Sequence, residues 1–299
     1  MKIGFIGLGI MGKPMAKNLL KAGFEVVAYT HKQATIDELV SCGAEAGTSG
    51  ADLAEKCDAI VTMLPNSPNV RDAVFGKNGV AEGAHEGLVL IDMSSIDPTE
   101  SKKIAAELEK KGIEMIDAPV SGGEPMAVAG TLSVMVGGKE ETVEAMRPVL
   151  SAMASSVVYV GPIGSGNVAK LANQMIVGIN IAACSEAFTF AKKMGTDPEL
   201  VYQAIRGGLA GSNVMDAKVP MMIDGNYTPG FRINLHTKDL TNALNAAHAI
   251  NSPAPFTASV MEIFQYLNAA GCGADDHNAI VKYYEALSGT SVVAEKQNT

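Results

Sequence analysis

A chain of 299 residues, 47% of them hydrophobic, can bury a large core and is long enough for two domains. Its formal net charge of -9 and the lack of any Lys/Arg-rich block exclude a nucleic-acid surface, so an anionic ligand must be met locally. Cys42, Cys57, Cys184 and Cys272 lie far apart without metal-ligand spacing, which points to structural thiols in a reducing compartment and to no metal site. The first apolar run is too short for a signal peptide and no apolar span of about 18 residues stands out, so a cytoplasmic protein without a membrane partner is expected.

The chain opens on a short apolar run, Lys2–Ile6, followed by Gly7, Gly9 and Gly12 and then a helical pattern. Gly7 lets the chain turn sharply out of a strand, Gly9 removes the Cβ that would hold backbone away from a pyrophosphate, and Gly12 lets a helix lie against the sheet. Gly7, Gly9, Ile10, Met11 and Gly12 are therefore the candidate phosphate seat, at the unpaired N–H groups of a helix start. Pro14 agrees, because proline is harmless in a first helical turn.

Up to about residue 160, short β-rich runs alternate with amphipathic stretches, the pattern of a mostly parallel sheet with helices on both faces. The expected strands are Lys2–Ile6, Glu25–Tyr29, Ala59–Leu64, Leu88–Met93, Glu114–Asp117, Ser133–Val136 and Val157–Val160. The second ends at Thr30, His31 and Lys32, where an NAD-selective site usually places a carboxylate for the ribose 2′-OH. None is present, so these three residues favour NADP(H), with NAD(H) possible. Asp117-Ala-Pro-Val-Ser121-Gly122-Gly123 follows another strand end; Ser121 offers a hydroxyl, and the two glycines let N–H groups converge on a substrate carboxylate. A plain glycine-rich turn is the alternative.

Three glycines and a proline between Gly161 and Gly166 end the strand signal, giving expected domains of 1–162 and 163–299. A single helical pattern then runs from Asn167 to Met194, apolar on nearly every face from Met175 to Cys184 as for a helix surrounded by protein. Lys170, Asn173 and Gln174 share one face near its start. A lysine is seldom buried without a partner, and a desolvated one is suited to proton transfer; an exposed lysine on a first turn is the alternative. Further helices are expected at about 197–207, 212–224, 237–250, 255–270 and 276–287, with Asp197 and Pro198 starting the first of them. Such a domain has little core of its own, so a homo-oligomer, dimer or tetramer, is expected to cover part of its apolar surface. Residues 295–299 read as a frayed end.

Five motifs in order, Gly7-Leu-Gly9-Ile-Met-Gly12-Lys-Pro14, Asp117 to Gly123, Gly130 to Gly138, Gly166 to Gln174 and Lys238-Asp239-Leu240, resemble the β-hydroxyacid dehydrogenase family over essentially the whole chain. The resemblance implies a Rossmann-type doubly wound α/β domain followed by an all-α domain built on one long central helix. It implies Lys170 as the catalytic acid/base and Ser121, Gly122, Gly123, Asn173 and Gln174 at a small semialdehyde or hydroxy acid. Leu64, Pro65, Ser95, Phe231 and Lys238 would join the glycine loop at the nicotinamide cofactor. Segments 205–213, 229–236 and 276–285 are similar to the family's tartronate semialdehyde-reducing branch, and the chain lacks the tryptophan associated with its 3-hydroxyisobutyrate branch. Gln174 departs from the commoner second Asn, and Thr30 from the acidic residue of many relatives. The alternatives are another β-hydroxy acid, an imine, or a non-catalytic NADPH-binding module; Lys170 with Asn173 argues against the last two. Arg232, His236 and His277 have open roles, with structural packing of His236 and an N-cap arrangement at His277 as the plain readings.

Overall fold

A computed structural model describes residues 1–294; the expectation of a frayed end at 295–299 lies outside the described residues. Contacts divide the chain into two compact units, Met1–Lys170 and the residues from Leu171 onward.

The first unit holds strands β1 (Lys2–Ile6), β2 (Glu25–Tyr29), β3 (Glu45–Ala46), β4 (Ala59–Thr62), β5 (Val89–Asp92), β6 (Glu114–Asp117), β7 (Val120–Ser121), β8 (Leu132–Gly137) and β9 (Ala154–Gly161). They form one sheet in the order β3-β2-β1-β4-β5-β6-β8-β7, with β9 on β8. β3 through β6 are parallel, β8 runs antiparallel to β6 and β7, and β9 is parallel to β8. All seven expected strands are present; β3 and β7 have two residues each, too short to leave a periodic signal.

Both faces of the sheet are covered because successive side chains point to opposite sides. Val61 and Ile91 pack with Met15 and Leu19 on one face, whereas Ile60 and Leu90 pack with Leu53 and Ile104 on the other. The strand order reverses between β1 and β4, leaving a crevice at their carboxyl ends, where ligands bind in open α/β sheets. The turn after β1 is the glycine loop, and the turn after β4 begins with Leu64.

A helix of 29 residues, Ser165–Lys193, begins in the first unit and continues into the second. By length and composition it could cross a membrane, with a window of hydropathy 1.2, which corrects the expectation that no such span exists; 44% of that window is buried within the protein. Inside it Ser185 and Thr189 donate to the Ile181 and Ser185 carbonyls at 2.8 and 2.7 Å. Within the single chain Ile176, in the stretch expected to be surrounded by protein, is 64% exposed, and Phe190 further along is 66% exposed.

The second unit adds helices Pro198–Ile205, Asn213–Ile223, Ile233–Ala249, Pro255–Ala269 and Val281–Ser288 around a core that includes Phe188, Met222, Phe264 and Ile280. Asp197 accepts from the Glu199 N–H at 3.0 Å, the expected cap, with Pro198 in the first turn. The helix expected from 276 is a short 3₁₀ turn, His277–Ile280, running into Val281–Ser288.

Candidate active site

The three loop glycines are needed for different physical reasons. Gly7 has φ +96°, and a Cβ there would lie 2.2 Å from the Met63 carbonyl oxygen; a Cβ on Gly12 would lie 2.0 Å from the Gly7 carbonyl oxygen. Gly9 is different, since a Cβ there would meet nothing within 4 Å. Its bare backbone faces open space at the start of helix Gly12–Lys21, as a cradle for a pyrophosphate requires. Gly9 and the exposed Ile10 line a groove of about 440 Å³ with Lys13, Lys17, Lys32 and Thr35; Met11 is half-buried beside them. Glu38 pairs with Lys13 at 2.9 Å and Lys17 at 2.6 Å. Thr30 is half-buried, while His31 and Lys32 are exposed, His31 standing edge-on to Tyr29 at 5.5 Å.

The turns after β4 and β5 are held by a carboxylate. Asp92 accepts from the Thr62 hydroxyl at 2.8 Å and the Ser94 N–H at 3.1 Å, and Ser94 Oγ accepts from the Leu64 N–H at 2.9 Å. Leu64 and Ser95 are half-buried and Pro65 is exposed. Burial pushes the Asp92 carboxyl up to about 6, against the opposing pull of its hydrogen bonds.

Asp117, in register with Asp92 on the next strand, begins the Ser121 segment. Its carboxylate accepts from the Gly164 N–H at 2.6 Å and the Asn167 N–H at 2.7 Å; burial raises its pKa, and these two bonds oppose the rise. Gly122 and Gly123 have φ +135° and +67°, a consecutive pair that L side chains rarely adopt, and Ser121 is half-buried before them. Lys170 stands one turn beyond Asn167 and is only 6% exposed, so the exposed-lysine alternative does not hold.

In the helical unit, Gln174 is buried and donates to Asp239 at 2.6 Å while accepting from the half-buried Asn173 at 2.9 Å. Lys238 Nζ lies 3.0 Å from the other Asp239 oxygen. His236 is fully buried, with Nε2 2.9 Å from the Gln174 carbonyl oxygen and Nδ1 3.0 Å from His277 Nδ1. Phe231 stands edge-on to both imidazoles, at 5.7 and 5.5 Å. Asp276 caps the His277–Ile280 turn and accepts from the Phe231 N–H at 3.0 Å; Arg232 is exposed and bridges backbone to backbone with Asp276.

Comparison with known proteins gives the family. Residues 2–161 match the family described as the NAD binding domain of 6-phosphogluconate dehydrogenase, and residues 164–284 that described as NAD-binding of NADP-dependent 3-hydroxyisobutyrate dehydrogenase. The chain is 43% identical to 2-hydroxy-3-oxopropionate reductase of Escherichia coli (strain K12), over 96% of this chain and 98% of that one. The chain belongs to the β-hydroxyacid dehydrogenase family. This β-hydroxyacid dehydrogenase is also 40% identical to 2-(hydroxymethyl)glutarate dehydrogenase of Eubacterium barkeri, over 97% of each chain. Among solved structures it is similar to 3-hydroxyisobutyrate dehydrogenase of Mycobacterium tuberculosis with L-serine, at a TM-score of 0.89 and 31% identity, covering 94% and 98% of the two chains. It is an NAD(P)-dependent oxidoreductase acting on a small hydroxy acid.

Sequence reasoning left Asp92, Asn167 and the Gln174–Asp239 bond unread. The one available signal was the aspartate that ends both β5 and β6, Asp92 and Asp117, since a buried carboxylate following apolar strand residues must be satisfied by whatever lies above the sheet.

Proposed function

We propose that this β-hydroxyacid dehydrogenase reduces tartronate semialdehyde (2-hydroxy-3-oxopropionate) to D-glycerate, with NADPH preferred over NADH. The burial of Lys170, on a helix whose start is anchored by Asp117, carries the chemistry; the 43% identity to a 2-hydroxy-3-oxopropionate reductase supports the substrate. The residues after β1 fit a dinucleotide: a glycine whose Cβ position is open, at a helix start. When bound, the nicotinamide supplies a hydride to the aldehyde carbon. Lys170 then gives its proton to the carbonyl oxygen, so that the C=O becomes a primary alcohol and the neutral amine recovers its proton from solvent. Ser121, Gly122 and Gly123 hold the substrate carboxylate through a hydroxyl and converging N–H groups; Asn173 and Gln174 complete the substrate site, with Asn173 holding the reacting oxygen or fixing Lys170. Gly7, Gly9, Ile10, Met11 and Gly12 seat the pyrophosphate, with Leu64, Pro65, Ser95, Phe231 and Lys238 along the rest of the cofactor.

The NADPH preference is supported by Thr30, His31 and Lys32, where no carboxylate awaits a ribose 2′-OH; Lys32 has no carboxylate partner among the described residues. The identity to 2-(hydroxymethyl)glutarate dehydrogenase favours that longer hydroxy acid as the second reading. We assign nucleotide binding to residues 1–162, substrate and subunit contacts to 163–299, and a cytoplasmic location. A homo-oligomer is supported by the exposed stripe Ile176, Ala183 and Phe190, one residue per heptad, and by Met194 and Leu287 at 69% and 71% exposure beside it. Light scattering of the purified chain decides the last point, a monomer overturning it.

The deciding experiment compares initial rates on tartronate semialdehyde, succinic semialdehyde and 2-(hydroxymethyl)glutarate with NADPH and NADH in parallel. Tartronate semialdehyde with NADPH should give the highest kcat/KM, and Lys170→Ala should abolish most of it. Equal rates on succinic semialdehyde, or near-normal turnover in the variant, would defeat the reading.

A further inference from the structure

Within the first unit, three segments that carry candidate site residues are joined by two fully buried side chains. Asp117 is the residue from which the Ser121–Gly123 turn departs, and its carboxylate binds the N–H groups of Gly164 and Asn167, 47 and 50 residues further on. Asn167 completes the connection toward the Ser95 segment. Its Oδ1 accepts from the Ile96 N–H at 3.0 Å and its Nδ2 donates to the Ser101 hydroxyl at 3.1 Å. Asp117, Asn167, Ser101 and Ile96 are all 0% exposed.

Capping alone does not account for this arrangement. A helix start is satisfied cheaply by a local Ser, Thr, Asp or Asn, and Ser165 stands at the start of this one. Here the acceptor is a distant carboxylate buried against its own preference for water, as its raised pKa records. The surrounding backbone is fitted closely to it. A Cβ on Gly166 would lie 2.4 Å from the Asp117 carbonyl oxygen, and a Cβ on Gly137 would lie 2.5 Å from Asp117 Oδ1. With both oxygens of Asp117 and both polar ends of Asn167 engaged, a slide of the first helical turn along its axis or a rotation about it would break these bonds. Lys170 is three residues beyond Asn167, on the neighbouring position of the same face.

We propose that Asp117 and Asn167 are positioning residues for the reaction: together they fix the height and rotation of the turn bearing Lys170 against the Ser121–Gly123 loop and the Ser95 segment. The inference rests on Lys170 being the proton donor, the reading given under Proposed function. A displacement of about 1 Å at a reacting group costs on the order of 100-fold in rate, whereas the glycine loop, built on β1 and its own helix, is untouched by either side chain. Loss of the clamp therefore lowers kcat and leaves cofactor affinity in place.

The test uses full-length Asn167→Ala and Asp117→Asn, with Ser101→Ala as a milder third variant that removes a single hydroxyl. For each, kcat and KM for tartronate semialdehyde, the pH profile of kcat, and the NADPH Kd by fluorescence are measured. Asn167→Ala is expected to lose about 10- to 100-fold in kcat with NADPH Kd within twofold and a displaced limb in the pH profile; Ser101→Ala should show the same split at smaller size. If Asp117→Asn does not fold, the other two carry the test. A kcat within twofold of the parent in Asn167→Ala, or a parallel loss of kcat and NADPH affinity with an unmoved pH profile, overturns the proposal. Lys170→Ala run alongside separates the two failures: near-normal turnover there removes the proton donor itself, whereas an inactive Lys170→Ala beside a normal Asn167→Ala removes only the clamp.

Discussion

His236 Nε2 lies 2.9 Å from the Gln174 carbonyl oxygen, and its Nδ1 lies 3.0 Å from His277 Nδ1. A carbonyl only accepts, so the chemistry of the partners assigns the hydrogen to Nε2; in a neutral ring Nδ1 then accepts, and His277 Nδ1 donates. The bond reaches the main chain of the long helix because Gly178 has no side chain: a Cβ there would stand 3.2 Å from His236 Nε2.

Replacing His236 with alanine should accordingly cost about 2–4 kcal/mol, the range for emptying a buried aromatic-sized site and orphaning a buried bond. The urea midpoint of the helical unit, followed by circular dichroism, reads it. An unchanged midpoint would show that the imidazole contact contributes nothing to stability.

The glycine loop allows a sharper separation. Gly9→Ala introduces a methyl with no protein atom within 4 Å, whereas Gly12→Ala drives one to 2.0 Å from the Gly7 carbonyl oxygen. Gly9→Ala is therefore expected to keep the parent Tm and to lose at least about tenfold in NADPH affinity, because the methyl occupies pyrophosphate space. Gly12→Ala should lose both. Thermal melts and fluorescence titrations of the two variants, side by side, check the pairing, and equal NADPH affinity in Gly9→Ala and the parent would contradict it.

These contrasts show what a sequence conveys. The glycine fingerprint, all seven longer strands and the Asp197-Pro198 helix start are local: each depends on residues within a few positions of one another, so spacing exposes them. The same holds for the shared face of Lys170, Asn173 and Gln174. The Asp117–Asn167 and Gln174–Asp239 bonds join residues 50 and 65 positions apart, and no periodicity reports a contact between elements. The exposure of Ile176 and Phe190 within one chain was not legible for a related reason, since a run apolar on every face says that something covers it and not whether the cover belongs to the same chain.

Asp276 offers a test of how Phe231 is held. Its fully buried carboxylate pairs with Lys218 at 2.8 Å and accepts from the N–H groups of Gly230, Phe231 and Asn278. Burial disfavours its charge, but the His277 imidazole, Lys218 and the Phe231 N–H outweigh that and hold the carboxyl below its ordinary value. A lowered folded pKa stabilises fully above the unfolded value of about 3.9 and is lost as pH falls through the folded one. Asp276→Ala, which strands the Lys218 ammonium, should cost about 3–5 kcal/mol at pH 7 and lose less than the parent on acidification below pH of about 4. Urea midpoints at pH 7 and pH 3.5 provide the comparison, and a loss at pH 3.5 as large as that at pH 7 would refute the assignment.

Asp92 runs in the opposite sense. Burial, with a smaller push from the neighbouring Asp117, raises its carboxyl to about 6 despite bonds from Thr62 and Ser94. The folded state thus binds this proton more tightly than the unfolded chain, so the stability it confers is complete below about pH 4 and disappears as pH rises through about 6. A difference of roughly two pKa units corresponds to about 3 kcal/mol. Asp92→Asn keeps a carbonyl oxygen for the Thr62 hydroxyl and the Ser94 N–H while removing the charge, and one Asp92 oxygen has no hydrogen-bond partner to lose. The variant should therefore show a flat stability between pH 4 and 6 where the parent declines, and should equal or exceed the parent at pH 7. Urea midpoints of both proteins at pH 4.5, 5.5 and 7 measure this directly; two parallel curves would mean that Asp92 keeps its charge throughout, solvated by contacts beyond Thr62 and Ser94.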